Sequence, residues 1–63
     1  MPRYRLYFLN PLGRIEAVSE LDCQTDEQAI AQSGQMADGR AMELWERERR
    51  VTSFPAGKAT LTP

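Results

Sequence analysis

The sequence predicts an α+β domain: a two-layer ββαββ sandwich, one helix packed on a four-stranded, mostly antiparallel sheet. Three observations predict it. Two strand-like stretches precede a sharply capped helix, and two more follow it. Gly, Pro and Asn punctuate the joins. The first strand is apolar on both faces and so belongs in the middle of the sheet, which gives the spatial order 2-1-3-4.

The first strand, residues 4–9, is Tyr-Arg-Leu-Tyr-Phe-Leu. Tyr4, Leu6 and Phe8 point one way, and Arg5, Tyr7 and Leu9 the other. Asn10-Pro11-Leu12-Gly13 then reads as a turn: Pro11 presets φ, Asn10 bonds the backbone ahead, and Gly13 can take positive φ. The returning strand runs over residues 14–23, with Ile15, Ala17, Leu21 and Cys23 on a buried parity and Glu16, Glu20 and Asp22 on a wet one. Val18 and Ser19 break that alternation and mark a place for a bulge.

Thr25-Asp26-Glu27-Gln28 is a capping box. The Thr25 hydroxyl accepts from the Gln28 amide, the Gln28 side chain reaches back, and Asp26 and Glu27 suit the helix dipole. The helix is expected from Asp26 to Ala37 or Asp38, with Gly39 at C′. Its buried stripe is read as Ala29, Ile30, Ser33, Gly34 and Ala37, bordered by Met36. Gly34 costs about 1 kcal/mol relative to alanine unless a close backbone contact offsets it. Residues 41–46 alternate as a third strand, Arg47-Glu48-Arg49 turns, and residues 50–54 form a fourth. The domain is expected to occupy residues 1–54, with residues 55–63 a disordered tail.

Composition removes whole classes of function. Eight basic against nine acidic residues give a net charge of -1, without the basic surplus a free-standing nucleic-acid module needs. There is no histidine, so a Ser-His-Asp triad, a Cys-His pair and an HExxH zinc site are excluded. One cysteine, Cys23, allows neither an intrachain disulfide nor a Cys-rich zinc site. With acids at Asp22 and Asp26 and no histidine or lysine nearby, Cys23 reads as a packed thiol rather than a nucleophile. The carboxylates Glu16, Glu20, Asp22, Asp26 and Glu27 lie on a wet strand or at a helix cap, and so small a chain has little room for a deep pocket. No enzyme activity, cofactor or metal is expected. The lone thiol, together with an N-terminal apolar run of only Leu6 to Leu9, leads to a soluble cytoplasmic protein with no membrane partner.

What remains is a surface. One helix cannot cover both faces of a sheet, and the uncovered face should carry Tyr7, Leu9, Val18 and Trp45 among Arg5, Glu16, Glu20 and Glu43. Trp, Tyr and Arg are the side chains most enriched at interface hot spots. The candidate interaction surface is therefore Arg5, Tyr7, Leu9, Val18, Glu43 and Trp45. The same aromatics could instead be cross-strand pairs that stiffen a small sheet. Self-association as a homodimer is the expected use, because a thin core gains from association. The alternative is a binding module for another protein or for single-stranded RNA, although acids on the face would repel phosphate. Arg47, Arg49 and Arg50 interleave with Glu46 and Glu48 and read as a solvated hairpin tip.

The strings Tyr4-Arg5-Leu6-Tyr7-Phe8-Leu9, Glu20-Leu21-Asp22-Cys23, Asp26-Glu27-Gln28-Ala29 and Ala41-Met42-Glu43-Leu44-Trp45 resemble, in order and spacing, a family of very short uncharacterised alphaproteobacterial proteins. The resemblance spans residue 2 to about residue 54. Members of that family tend to end near the last strand and to carry alanine where this helix has Gly34. The resemblance implies an independent small protein and carries over no activity and no site residue.

Overall fold

The computed structural model describes residues 3–57. Four strands and one helix follow in the order β1 (Arg3–Leu9), β2 (Ile15–Asp22), α1 (Asp26–Gln35), β3 (Ala41–Glu46) and β4 (Arg49–Phe54). The sheet is antiparallel throughout, in the order β2-β1-β3-β4. The expected α+β fold and strand order are therefore present. The aromatic-rich first strand sits in the interior, paired on both sides.

The core lies between α1 and one face of the sheet. Tyr4, Leu6 and Phe8 of β1 meet Leu21, Cys23, Ala29, Met42 and Leu44, all buried, with Ala17, Met36, Val51 and Phe54 packed around them. The first turn follows its sequence signals. Asn10 Oδ1 accepts from the amides of Leu12 and Arg14, the Gly13 amide donates to the Asn10 carbonyl, and Gly13 takes φ 83°. At the helix start, Thr25 Oγ1 accepts from the Gln28 amide at 3.1 Å. The Gln28 side chain reaches back one residue further than a capping box requires, accepting from the Gln24 amide at 2.8 Å.

The structure corrects the expected helix end and stripe. The helix stops at Gln35, because the Met36 and Ala37 amides bond the Ser33 and Gly34 carbonyls and tighten the last turn. Gly39, at φ 98°, serves the turn into β3 and is not a helix cap. The buried stripe is narrower than read: Ala29 and Ser33 are inaccessible and Met36 is half-buried, while Ile30, Gly34 and Ala37 face solvent. The Ser33 hydroxyl is satisfied within the helix by the Ala29 carbonyl at 2.7 Å. No atom outside the helix comes within 4 Å of where a Gly34 Cβ would stand, so no close contact offsets the glycine.

A second correction concerns β2. Phe8 pairs with Ala17 and Leu9 with Ile15, leaving Glu16 as the extra residue of a β-bulge. The bulge falls at Glu16, not at Val18 and Ser19. Ile15 consequently leaves the buried parity and joins Leu9 on the open face, 59% exposed. Glu16 turns to the helix side instead, where its carboxylate meets Arg40 at 2.8 Å. Val51 is the corresponding extra residue between β3 and β4.

Residues 55–57 of the expected tail return to the domain, with the Gly57 amide donating to the Gly39 carbonyl at 2.9 Å. Residues 58–63 of that tail lie outside the described residues. Among the described residues no helix is long and apolar enough to cross a membrane.

Candidate functional site

The open face is built by the register of the two central strands. β1 presents Arg3, Arg5, Tyr7 and Leu9; across it β2 presents Asp22, Glu20, Val18 and Ile15, and β3 presents Trp45, Glu43 and Ala41. β4 adds Arg50 beside Trp45 and Ser53 beside Glu43. All six expected surface residues, Arg5, Tyr7, Leu9, Val18, Glu43 and Trp45, lie together on this face. Glu16, read onto the same face from parity alone, is absent from it for the reason given above.

The face divides into two ends. Towards the first hairpin it is apolar: Ile15 is 59% and Val18 53% exposed, with Leu9 and Tyr7 half-buried beside them. These two β-branched side chains are the open flank of the sheet, and Ile15 is the member that sequence reasoning missed. The signal was present in the spacing. Ile15 and Val18 have opposite parity in a regular strand, and one inserted residue between them puts both on one face.

Towards the second hairpin the face carries paired charges. Arg3 meets Asp22 at 3.2 Å and Glu20 at 3.5 Å, and Arg5 approaches Glu20 at 3.8 Å. Glu43 accepts from the Trp45 indole at 3.1 Å and lies 4.0 Å from Arg50. Each charge has an opposite partner, and the two signs balance over the face. Tyr7, Ile15, Glu43 and Trp45 line a shallow depression that the Arg47–Glu48 turn closes at one end. It is an open concavity rather than an enclosed substrate pocket.

The opposite side holds two further polar clusters. The buried Tyr4 ring sends its hydroxyl to Asp26 Oδ1 at 2.7 Å, and Arg49 reaches both Asp26 oxygens at 3.2 Å. The hydrogen bond to Asp26, with burial behind it, pushes the Tyr4 hydroxyl up to about 12. Arg49 first and Tyr4 second hold the Asp26 carboxyl below its usual range. The Arg49 guanidinium is raised above its ordinary value by Asp26 and then Glu46. At the far end Arg40 lies over the Phe8 ring, 4.7 Å from its centroid, and pairs with Asp38 and Glu16. Arg40 lowers the Asp38 carboxyl. Both clusters join separate elements, and every charge in them has a partner. Arg49, read as part of a solvated tip, is thus a tie between β4 and the start of the helix.

Cys23 is buried, and its thiol donates to the Gln32 side-chain carbonyl at 3.3 Å. Among the described residues no group of three or more Cys, Asp and Glu side chains converges to hold a metal ion. Compared with protein-family models, with curated proteins and with solved structures, the chain matches none of the three.

Proposed function

We propose that this chain is a small cytoplasmic interaction protein that self-associates through the open face of its sheet. The observation that carries the reading is the pair Ile15 and Val18. Two β-branched side chains, each more than half exposed, stand on a face that no helix among the described residues covers, flanked by Leu9, Tyr7 and Trp45. Solvating such side chains is costly, and covering them recovers about 25 cal/mol per Å² of apolar surface removed from water.

The charge balance favours a second copy over a charged partner. An anionic partner such as nucleic acid gains nothing from a face on which Glu20, Asp22 and Glu43 offset Arg3, Arg5 and Arg50. A neutral, mixed-sign face meets its own copy without net repulsion. The single buried thiol of Cys23 suits a reducing compartment.

The test is sedimentation equilibrium over a concentration series, with Trp45→Ala beside the wild type. Weaker association of a variant that keeps its circular dichroism spectrum supports the reading. Unchanged association, or a wild type that stays monomeric at every concentration, overturns it.

A further inference from the structure

The side-chain pattern of the open face selects one symmetry for its self-association. Homodimers are overwhelmingly two-fold, so each position on the face meets a position fixed by the axis. Two sheets packed face to face keep their strands within about 30° of one another, which leaves two axis directions in the plane between them.

An axis perpendicular to the strands lays each strand over its own copy, running in reverse. Ile15 then covers the partner's Asp22, Val18 the partner's Glu20, and Tyr7 the partner's Arg5, by the register of β1 and β2. Apolar side chains would desolvate charges while offering them nothing in return. That arrangement, centred on the face, is unfavourable at both ends; moved towards the first hairpin it pairs Ile15 with the partner's Val18 but leaves the level of Arg5, Trp45 and Arg50 outside the overlap, well short of the area a specific interface needs.

An axis parallel to the strands, between β1 and β3, preserves height along the strands and exchanges β1 with β3 and β2 with β4. Arg5, level with Trp45 in the sheet, then lies over the partner's Trp45, a guanidinium on an indole. Tyr7, level with Glu43, brings its hydroxyl to the partner's carboxylate. Glu20, level with Arg5 and hence with Trp45 and Arg50, faces the partner's Arg50. At the apolar end Leu9 lies over the partner's Ala41 and Val18 over the partner's Ser53, and Ile15 is level with Pro55, just past the end of the partner's β4.

The available area also suits a dimer. Strands of six to eight residues at about 3.3 Å per residue, four abreast at about 4.8 Å, give roughly 450 Å² of flat footprint per protomer. With side-chain relief added, the pair reaches about the ~1,200 Å² lower bound of specific interfaces. An interface at that lower bound suits a concentration-dependent equilibrium rather than a permanent dimer.

We infer that the protein forms a two-fold dimer whose axis runs along the strands between β1 and β3, with Glu20 opposite the partner's Arg50 and Arg5 over the partner's Trp45. The inference rests on the self-association proposed above. Its test is a charge-reversal cycle read by sedimentation equilibrium: wild type, Glu20→Arg, Arg50→Glu and the double variant, each checked for its fold by circular dichroism. Each single reversal is expected to weaken association about tenfold, because symmetry repeats the like-charge contact at two places. The double variant restores opposite signs across the axis and should associate more tightly than either single variant, though below wild type, because within each protomer Glu20→Arg adds a cation beside Arg3 and Arg5 and Arg50→Glu an anion beside Glu43. If the single variants weaken association and the double variant stays weak, this axis is wrong while the open-face interface stands. If the wild type associates and neither reversal changes it, the interface lies elsewhere and both ideas fall. A wild type that is monomeric throughout removes the self-association and the axis with it.

Discussion

The Tyr4 hydroxyl, on the central strand, donates a 2.7 Å hydrogen bond to Asp26 in the first turn of the helix. That bond joins the strand interior to the start of α1, and Arg49 extends it to β4. A side chain whose ring is 2% exposed thus delivers its only polar atom to a satisfied position.

The bond gives the alkaline limb of stability a definite sign. With the Tyr4 hydroxyl raised to about 12 from 10.0, the folded state holds its proton more tightly than the unfolded chain does. Its contribution is fully present below pH 10 and is lost as pH rises from 10 towards 12. Tyr4→Phe should be less stable than wild type at neutral pH and should show a shallower loss between pH 10 and 12. Urea unfolding across that range measures both.

The acid limb has the opposite origin. Asp26, held down by Arg49 and Tyr4, and Asp38, held down by Arg40, both bind protons less readily when folded. Their contributions are present above the unfolded value of 3.8 and disappear as pH falls below it. Thermal melts between pH 7 and 2 should show stability falling below about pH 4. An Asp26→Asn, Asp38→Asn double variant should start lower and flatten that fall.

Gly34 occupies an exposed helix position with open space where its Cβ would stand. Gly34→Ala should stabilise the protein by about 1 kcal/mol, from helix propensity and reduced freedom of the unfolded chain. Urea denaturation should show a higher midpoint with an unchanged slope.

Arg47 takes φ 60° at the first position of the two-residue turn between β3 and β4, where glycine is the favoured residue. A left-handed non-glycine residue costs roughly 1–2 kcal/mol, and glycine's extra unfolded-state freedom returns about 0.5–1 of it. Arg47→Gly should therefore raise stability by about 0.5–1 kcal/mol, measured in the same way.

The fold was legible because local signals agreed with one another. An aromatic-rich first strand, an Asn-Pro-Leu-Gly turn and a Thr-Asp-Glu-Gln cap each dictate one structure, and the structure contains all three. Five of the six surface residues were legible for the same reason: β1 and β3 keep strict alternation, so parity assigns their faces, and Val18 shares the parity of Glu20 and Asp22 because it follows the bulge. β2 as a whole does not alternate strictly. One inserted residue at Glu16 reverses every side chain before it, which moved Ile15 onto the open face and Glu16 off it. The helix end was obscured because Gly39 is a strong stop signal, yet the last turn had already tightened at Met36. The Tyr4–Asp26–Arg49 tie was hidden for a different reason: it joins three elements far apart in sequence, and nothing local requires it.

Ile15 offers the most direct test of the open-face interface, because it is well exposed and stands outside the buried core. Ile15→Glu leaves the core untouched and places a charge at the apolar end of the open face. The decisive measurement is sedimentation equilibrium of wild type and Ile15→Glu from low to high micromolar concentration. The expected result is a concentration-dependent monomer–dimer equilibrium for the wild type, weakened about tenfold or more in a variant with an unchanged circular dichroism spectrum. A wild type that remains monomeric across the series, or a variant that associates as tightly as the wild type, would contradict the account.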